Sequence, residues 1–202
     1  MPDLLQLVAE LAEVFDRLGL RYALGGALAT SYWGIERSTQ DIDCLVAIPA
    51  VSYQALADSL IALGCQQYDE AGSIVPLDAL RMRDQANRGH LIELNRNGVR
   101  IELFVPIVPL QNEILRRAVL IPAGGRQVPV TTAEDLILLK MAFHRQKDLL
   151  DVRGILRVQR AGLDFEYLRR WSASSLDGQV HQELEGLIVQ HCNLQNGLSP
   201  ST

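Results

Sequence analysis

The stretch from Tyr22 to Pro49, YALGGALATSYWGIERSTQDIDCLVAIP, leaves this chain few ways to fold. Tyr22-Ala23-Leu24 is a short apolar strand, and Gly25-Gly26 behind it is a turn where no side chain is wanted. Ala27 to Trp33 has helical spacing, and Ser38-Thr39 closes a polar loop. Asp41-Ile42-Asp43 then opens Cys44 to Ile48, an apolar run ended by Pro49 that reads as a buried strand. Strand side chains alternate, so Asp41 and Asp43 share one face while Ile42 turns to the core. Two like charges that close repel, and the pKa of one rises unless a cation sits between them.

That pattern has a chemistry. Mg²⁺ is a hard cation that binds through one or two carboxylates and completes its shell with substrate phosphates. A Gly-Gly turn ahead of a helix offers backbone N–H groups and a helix N-terminus, which suit a phosphate. Carboxylates for a metal together with a phosphate cradle are the equipment of nucleotidyl transfer. Another Mg²⁺ enzyme class that uses Asp-x-Asp, such as a phosphatase or glycosyltransferase, stays open as a reading, although the upstream Gly-Gly and intervening helix do not suit a phosphatase, whose nucleophilic aspartate follows its strand.

Gly25-Gly26 followed by Arg37-x-Thr39-x-Asp41-Ile42-Asp43 resembles the motif of the DNA polymerase beta-like nucleotidyltransferase superfamily. Within it the chain is most similar to the bacterial AbiEii-type and MenT-like branch, often found as toxins of toxin–antitoxin pairs. The resemblance spans about Tyr22 to Asp151 and implies a Mg²⁺-dependent enzyme that moves an NMP from an NTP to an acceptor hydroxyl. The toxin branch implies tRNA as acceptor and an antitoxin as partner; a protein or a small molecule stays open as acceptor. Arg37 is placed to meet a nucleotide phosphate, with a loop salt bridge as its structural alternative. Thr39 either caps its turn or touches the metal-bound phosphate. One departure stands out: Ala27 follows Gly26 where many members carry a phosphate-binding serine. A non-catalytic binder with a degenerate nucleotidyltransferase fold is therefore the alternative reading.

A third carboxylate is expected from a neighbouring strand. In HLIELNRNGVRIELFVP, His90 to Pro106, two alternating runs flank Asn97-Gly98, a strong hairpin signal. Glu102 sits between hydrophobic residues on the second run, where the resemblance places the third acid, although most members use Asp. It completes a metal site with Asp41 and Asp43 or takes the proton of the acceptor. Glu93 on the first run is the rival. Further on, Glu134-Asp135-Leu136, Lys140, Arg145, Lys147 and Asp148 resemble the family's Glu-Asp-Leu-x-x-x-Lys and Arg-x-Lys-Asp segments. The resemblance assigns Lys140 to the nucleotide's phosphates. A lysine inside an apolar helix needs an anionic partner in any case, unless it snorkels.

The rest of the chain reads as scaffold. Leu4 to Leu18 is an amphipathic helix stopped by Gly19, and Val51 to Leu63 is a second one stopped by Gly64. Cys65 to Tyr68 reads as a short edge strand. Asp69 to Asp84 reads as irregular, with Arg81, Arg83 and Arg88 as a solvated basic cluster. Tyr32 and Trp33 read as core. Leu110 to Ala118 is a short helix, and two strands flank the turn Pro122 to Gly125. One helix is expected from Glu134 to Asp148, with Lys140, His144 and Lys147 on one face. Helix continues from Leu149 to Gln159, where Arg153, Arg157 and Arg160 make a basic side. Further helices cover Asp164 to Ser172 and Asp177 to His191, before a frayed polar tail from Asn193.

These elements predict an α+β fold: a small twisted mixed sheet with helices on one face, the nucleotidyltransferase fold, plus a C-terminal helical part. The expected division is a core at 1–130 and a helical region at 131–202 packed on it. The net charge of −5 argues against indiscriminate nucleic-acid binding. Cys44, Cys65 and Cys192 show neither metal spacing nor a disulfide framework, and the first two read as buried thiols. The acidic N-terminal stretch does not look like a signal peptide, and no apolar run reaches membrane-span length. A cytoplasmic protein without membrane contact is the expectation.

Overall fold

Eight strands among the described residues pair into one mixed sheet in the order β4-β3-β5-β6-β2-β1-β8-β7. The structure is a computed structural model that describes residues 4–36 and 38–192. The first helix, α1 (Leu4–Arg17), precedes β1 (Arg21–Leu24), α2 (Gly26–Trp33) and β2 (Asp41–Ala47). Then come α3 (Tyr53–Ala62), β3 (Gln66–Tyr68), β4 (Ile74–Val75), α4 (Ala79–Gly89), β5 (Leu91–Arg96) and β6 (Val99–Phe104). α5 (Pro109–Arg117), β7 (Val119–Ala123) and β8 (Arg126–Val130) complete the sheet region. The helical remainder is α6 (Ala133–Phe143), α7 (Gln146–Gln159), α8 (Phe165–Ser175) and α9 (Gly178–Cys192).

The register explains which side chains meet. β2 runs parallel to β6, with Asp41 opposite Arg100 and Asp43 opposite Glu102. β5 runs antiparallel to β6, with Glu93 opposite Glu102 and Asn95 opposite Arg100. The hairpin between them turns at Asn97 and Gly98, both at positive φ (52° and 86°), the combination a tight two-residue turn requires. One face of these strands carries Ile42, Cys44, Ile92, Leu94, Ile101 and Leu103, all buried to 1% exposure or less. The opposite face carries the acids.

The described residues fall into two compact units. Residues 4–29 and 38–132 hold the whole sheet together with α1, α3, α4 and α5; residues 30–36 and 133–192 make a helical unit. In the sheet unit α1 packs on β7 and β8 closely enough that a Cβ on Gly124 would stand 2.3 Å from the carbonyl oxygen of Leu5. In the helical unit the turn after α2 packs on α7. Gly34 sits against Ile155, Ile35 lies over Gly154, and Gln159 Nε2 donates to the Trp33 carbonyl at 2.6 Å.

Three local expectations are corrected. The segment Asp69 to Asp84 is not irregular: it contains β4 and the start of α4. Asp78 caps α4 by accepting from the Arg81 N–H at 2.9 Å, but the helix buries only Met82 and Ala86, too few apolar positions to announce it. Its arginines are surface groups: Arg88 pairs with Glu70 and Asp84, and Arg81 Nη1 donates to the Pro76 carbonyl. Second, the helix expected from Glu134 to Asp148 is broken at His144, which has φ 54°. The Asp148 carboxylate reaches back to accept from the Arg145 N–H at 3.2 Å and starts a new helix there. Lys140 and Lys147 therefore lie on different helices. Third, Tyr32 is half exposed and stacks edge-on with Trp33 at 4.7 Å between ring centroids, so it is not core. Cys44 and Cys65 are buried free thiols, as expected, and burial pushes the Cys65 thiol up to about 11. The tail from Asn193 lies outside the described residues. No helix among the described residues is long and apolar enough to cross a membrane.

Candidate active site

β2 delivers Asp41 and Asp43 to one face of the sheet, separated by the fully buried Ile42. β6 delivers Glu102 directly beside Asp43, and β5 delivers Glu93 on the other side of Glu102. A single rung across three strands thus reads Glu93, Glu102, Asp43. The rung behind it places Arg100 opposite Asp41. Arg100 donates through Nη2 to Glu93, and its Nε lies 3.1 Å from Glu102 Oε1.

The electrostatics follow from that count. Burial pushes the Glu102 carboxyl up to about 7, and the Asp43 carboxylate beside it adds to the rise. Arg100 opposes the shift without cancelling it. An acid held half-protonated at neutral pH next to a second carboxylate is a place where another cation would be welcome. The donor set is all oxygen, as Mg²⁺ prefers. Among the described residues no three His, Cys, Asp or Glu side chains stand together as a ready-made metal cage. The fit is therefore to a metal held by two adjacent carboxylates, with the remaining positions open to a substrate and water.

The Gly-Gly turn sits against this pair for a reason the sequence did not reveal. Gly26 has φ 56°, and a Cβ built on it would stand 1.7 Å from Asp43 Oδ2. Only glycine lets α2 start this close to the carboxylate. Gly25 is committed as well: its N–H is not bare but donates to the Asp43 carbonyl at 2.9 Å. That hydrogen bond ties the start of α2 to β2. Thr39 Oγ1 accepts from the Asp41 N–H at 3.2 Å, which closes the turn into β2. Arg37 lies outside the described residues.

Lys140 belongs to the helical unit. The anionic partner its burial demands is supplied there by Asp151 at 2.6 Å and Asp148 at 3.7 Å. Asp148 also accepts from Arg145 Nε at 2.6 Å. Burial pushes the Asp148 carboxyl up, but Arg145 and Lys140 together hold it below the usual carboxylate range. Sequence reasoning missed Arg100 as a site residue. Its signal was present: an arginine two residues before Glu102 on a strand must share that acid's face.

No protein-family model and no curated protein sequence matches the chain. Solved structures do. The solution structure of the antibiotic-resistance factor ANT(2'')-Ia matches with a TM-score of 0.56 at 14% identity, over 93% of this chain and 97% of that one. An antigenic nucleotidyltransferase-like protein from Paracoccidioides brasiliensis matches with a TM-score of 0.54 at 19% identity, over 94% of this chain and 88% of its own. The crystal structure of ANT(2'')-Ia in complex with adenylyl-2''-tobramycin gives 0.54 at 13% identity, over 90% and 97%. Likeness at such identity is likeness of fold, and on that ground the mixed sheet and helices of this chain have the nucleotidyltransferase fold.

Proposed function

We propose that the chain is a Mg²⁺-dependent nucleotidyltransferase that moves an NMP from an NTP to an acceptor hydroxyl. The observation that carries the reading is the Asp43–Glu102 rung with Asp41 on the same face, set against the first turn of α2. Asp43 and Glu102 would hold the metal as adjacent ligands, with Asp41 on the same face given to it by the resemblance; when bound the metal supplies charge neutralisation at the triphosphate. Asp43 is positioned by Gly26 and by the hydrogen bond from Gly25; Asp41 is positioned by Thr39. The acceptor oxygen bonds to the α-phosphorus, the bond from that phosphorus to the pyrophosphate oxygen breaks, and the released proton passes to Glu102 or to water. The resemblance gives Arg37 and Lys140 to phosphate charge.

Two acceptor classes have support. The resemblance to AbiEii-type and MenT-like proteins favours tRNA, with an antitoxin as the neutralising partner. The ANT(2'')-Ia complex carries adenylyl-2''-tobramycin, which brings in a small polyhydroxylated acceptor. The alternative reading, a non-catalytic nucleotide or partner binder, is favoured by two observations: Gly25 has its N–H committed, and Ala27 provides no hydroxyl.

Isothermal titration of each NTP with Mg²⁺, wild type against Asp41→Asn/Asp43→Asn, tests the site. Metal-dependent binding present in the wild type and lost in the variant supports it; no NTP binding by the wild type overturns it. Pyrophosphate release on addition of tRNA or an aminoglycoside then separates the transferase from the binder and identifies the acceptor class.

A further inference from the structure

Arg100 pairs directly with two acids of the carboxylate rung, and its placement is built rather than incidental. It is held at three points. Nη2 donates to Glu93, Nε lies 3.1 Å from Glu102, and the guanidinium carbon sits 5.1 Å from the centre of the Tyr68 ring. Tyr68 is itself fixed. Asn95 Nδ2 donates to its hydroxyl at 3.0 Å, and Gln85 Nε2, from α4, donates to its carbonyl at 2.7 Å. Gln67 on the same strand donates through Nε2 to Gln85 Oε1 at 2.9 Å. Residues from β3, α4, β5 and β6 thus converge on the orientation of one side chain.

That orientation matters to Glu102, which has two suitors. On one side lies Asp43, with which it would share a metal; on the other lies Arg100, which draws it toward Glu93. We propose that Arg100 is a built-in counter-ion of the carboxylate face, from which an incoming divalent cation must win Glu102, and that this competition sets the strength of metal binding. The inference rests on the nucleotidyl-transfer reading. Arg100 is a positioning residue in it: it touches Glu102, not the reacting atoms. Glu93 acts through Arg100 by dividing its charge between two acids. A site tuned this way binds the bare metal weakly and the metal–triphosphate complex better, because phosphate oxygens supply ligands that Glu102 does not have to.

The competition predicts signs that a structural role does not. Mn²⁺ is the probe, followed by the loss of its free electron-paramagnetic-resonance signal on titration with the full chain, without nucleotide. Arg100→Gln should bind Mn²⁺ about five- to tenfold more tightly than wild type, the effect of removing one nearby partly solvated charge. Arg100→Lys keeps the charge but loses the fork and should fall between the two. Glu93→Gln should weaken Mn²⁺ binding about two- to threefold, since Arg100 then turns wholly to Glu102. In the Arg100→Gln background, Glu93→Gln should have a smaller effect, limited to its own charge beside Glu102. Thermal unfolding of each variant shows that it is folded; Arg100→Lys and Glu93→Gln carry the test should Arg100→Gln unfold. Unchanged or weaker Mn²⁺ binding by Arg100→Gln, or additive effects of the two substitutions, would overturn the proposal while leaving the metal site standing. Failure of every form, wild type included, to bind Mn²⁺ with or without NTP removes the metal reading itself and this inference with it.

Discussion

Two clusters of charged side chains, one in each unit, differ in a way that separates function from architecture. In the helical unit Lys140 and Arg145 face Asp148 and Asp151, two cations to two anions, and the Lys140 and Asp148 side chains are 8% and 2% exposed. In the sheet unit, among the described residues, Arg100 serves both Glu93 and Glu102, with Asp43 beside Glu102 and Asp41 opposite in register. The first cluster is balanced and buries Lys140 and Asp148, with Arg145 56% exposed at its rim. Among the described residues the second carries surplus negative charge, and Glu93 and Glu102 are 27% and 25% exposed. A matched buried cluster is what a fold needs in order to bury charge at all. A surplus held in place by rigid strands has a cost in stability, and costs of this kind collect where a ligand is bound.

The comparison can be broken most decisively at Asp41 and Asp43. Asp41→Asn/Asp43→Asn should abolish metal-dependent NTP binding and lower any transfer rate at least about 100-fold, with little loss of thermal stability. Calorimetry and pyrophosphate release read the first part, a melting curve the second. The opposite profile is expected at Lys140. Removing one partner of a buried pair strands the other, so Lys140→Met should destabilise the chain by about 3 kcal/mol in urea. A stable Lys140→Met variant that has lost NTP binding would instead favour the phosphate role that the family resemblance assigns.

Gly26→Ala tests the clamp between α2 and β2. It combines a positive φ with a methyl group pushed into the Asp43 carboxylate, and should cost about 2 kcal/mol as well as displacing Asp43. Loss of Mn²⁺ binding in a variant that still unfolds cooperatively would show that the glycine positions the acid. Acid titration sharpens the other cluster. The Asp148 carboxyl is held low in the folded state, so its contribution is present above about pH 4 and disappears as pH falls through the folded value. Asp148→Asn should lower stability at neutral pH and flatten the acid limb of the stability–pH curve. The smallest effect is the most telling in sign. Glu102→Gln should stabilise the metal-free protein at neutral pH by roughly 1 kcal/mol, because it removes a charge that burial and Asp43 disfavour. A destabilised Glu102→Gln variant would mean that the Arg100 contact outweighs the surplus.

Much of this was readable before any coordinates. Asp41 and Asp43 announce a shared face through their spacing, Asn97-Gly98 announces a hairpin, and the family resemblance singles out Glu102 on it, with Glu93 as the rival. What stayed hidden did so for identifiable reasons. α4 buries only two side chains, so its periodicity is faint. The break at His144 depends on Asp148 reaching back to the Arg145 amide, a contact that helix propensity does not register. That the Gly25 amide braces β2 through the Asp43 carbonyl is a pairing between distant segments that Gly25-Gly26 does not announce in sequence.

By itself the sequence determined the periodicities, and with them the α+β class, the identity of the acids and the face each would occupy. Those properties are local: alternation along a strand and spacing along a helix need no partner. The tertiary structure decided which strands became neighbours, and so that Glu102 meets Asp43 on one side and Glu93 on the other. It also decided that Lys140 finds its counter-charges within the helical unit. Charge balance is a property of the neighbourhood rather than of the residue, and neighbourhoods are set by long-range pairing that no local pattern encodes.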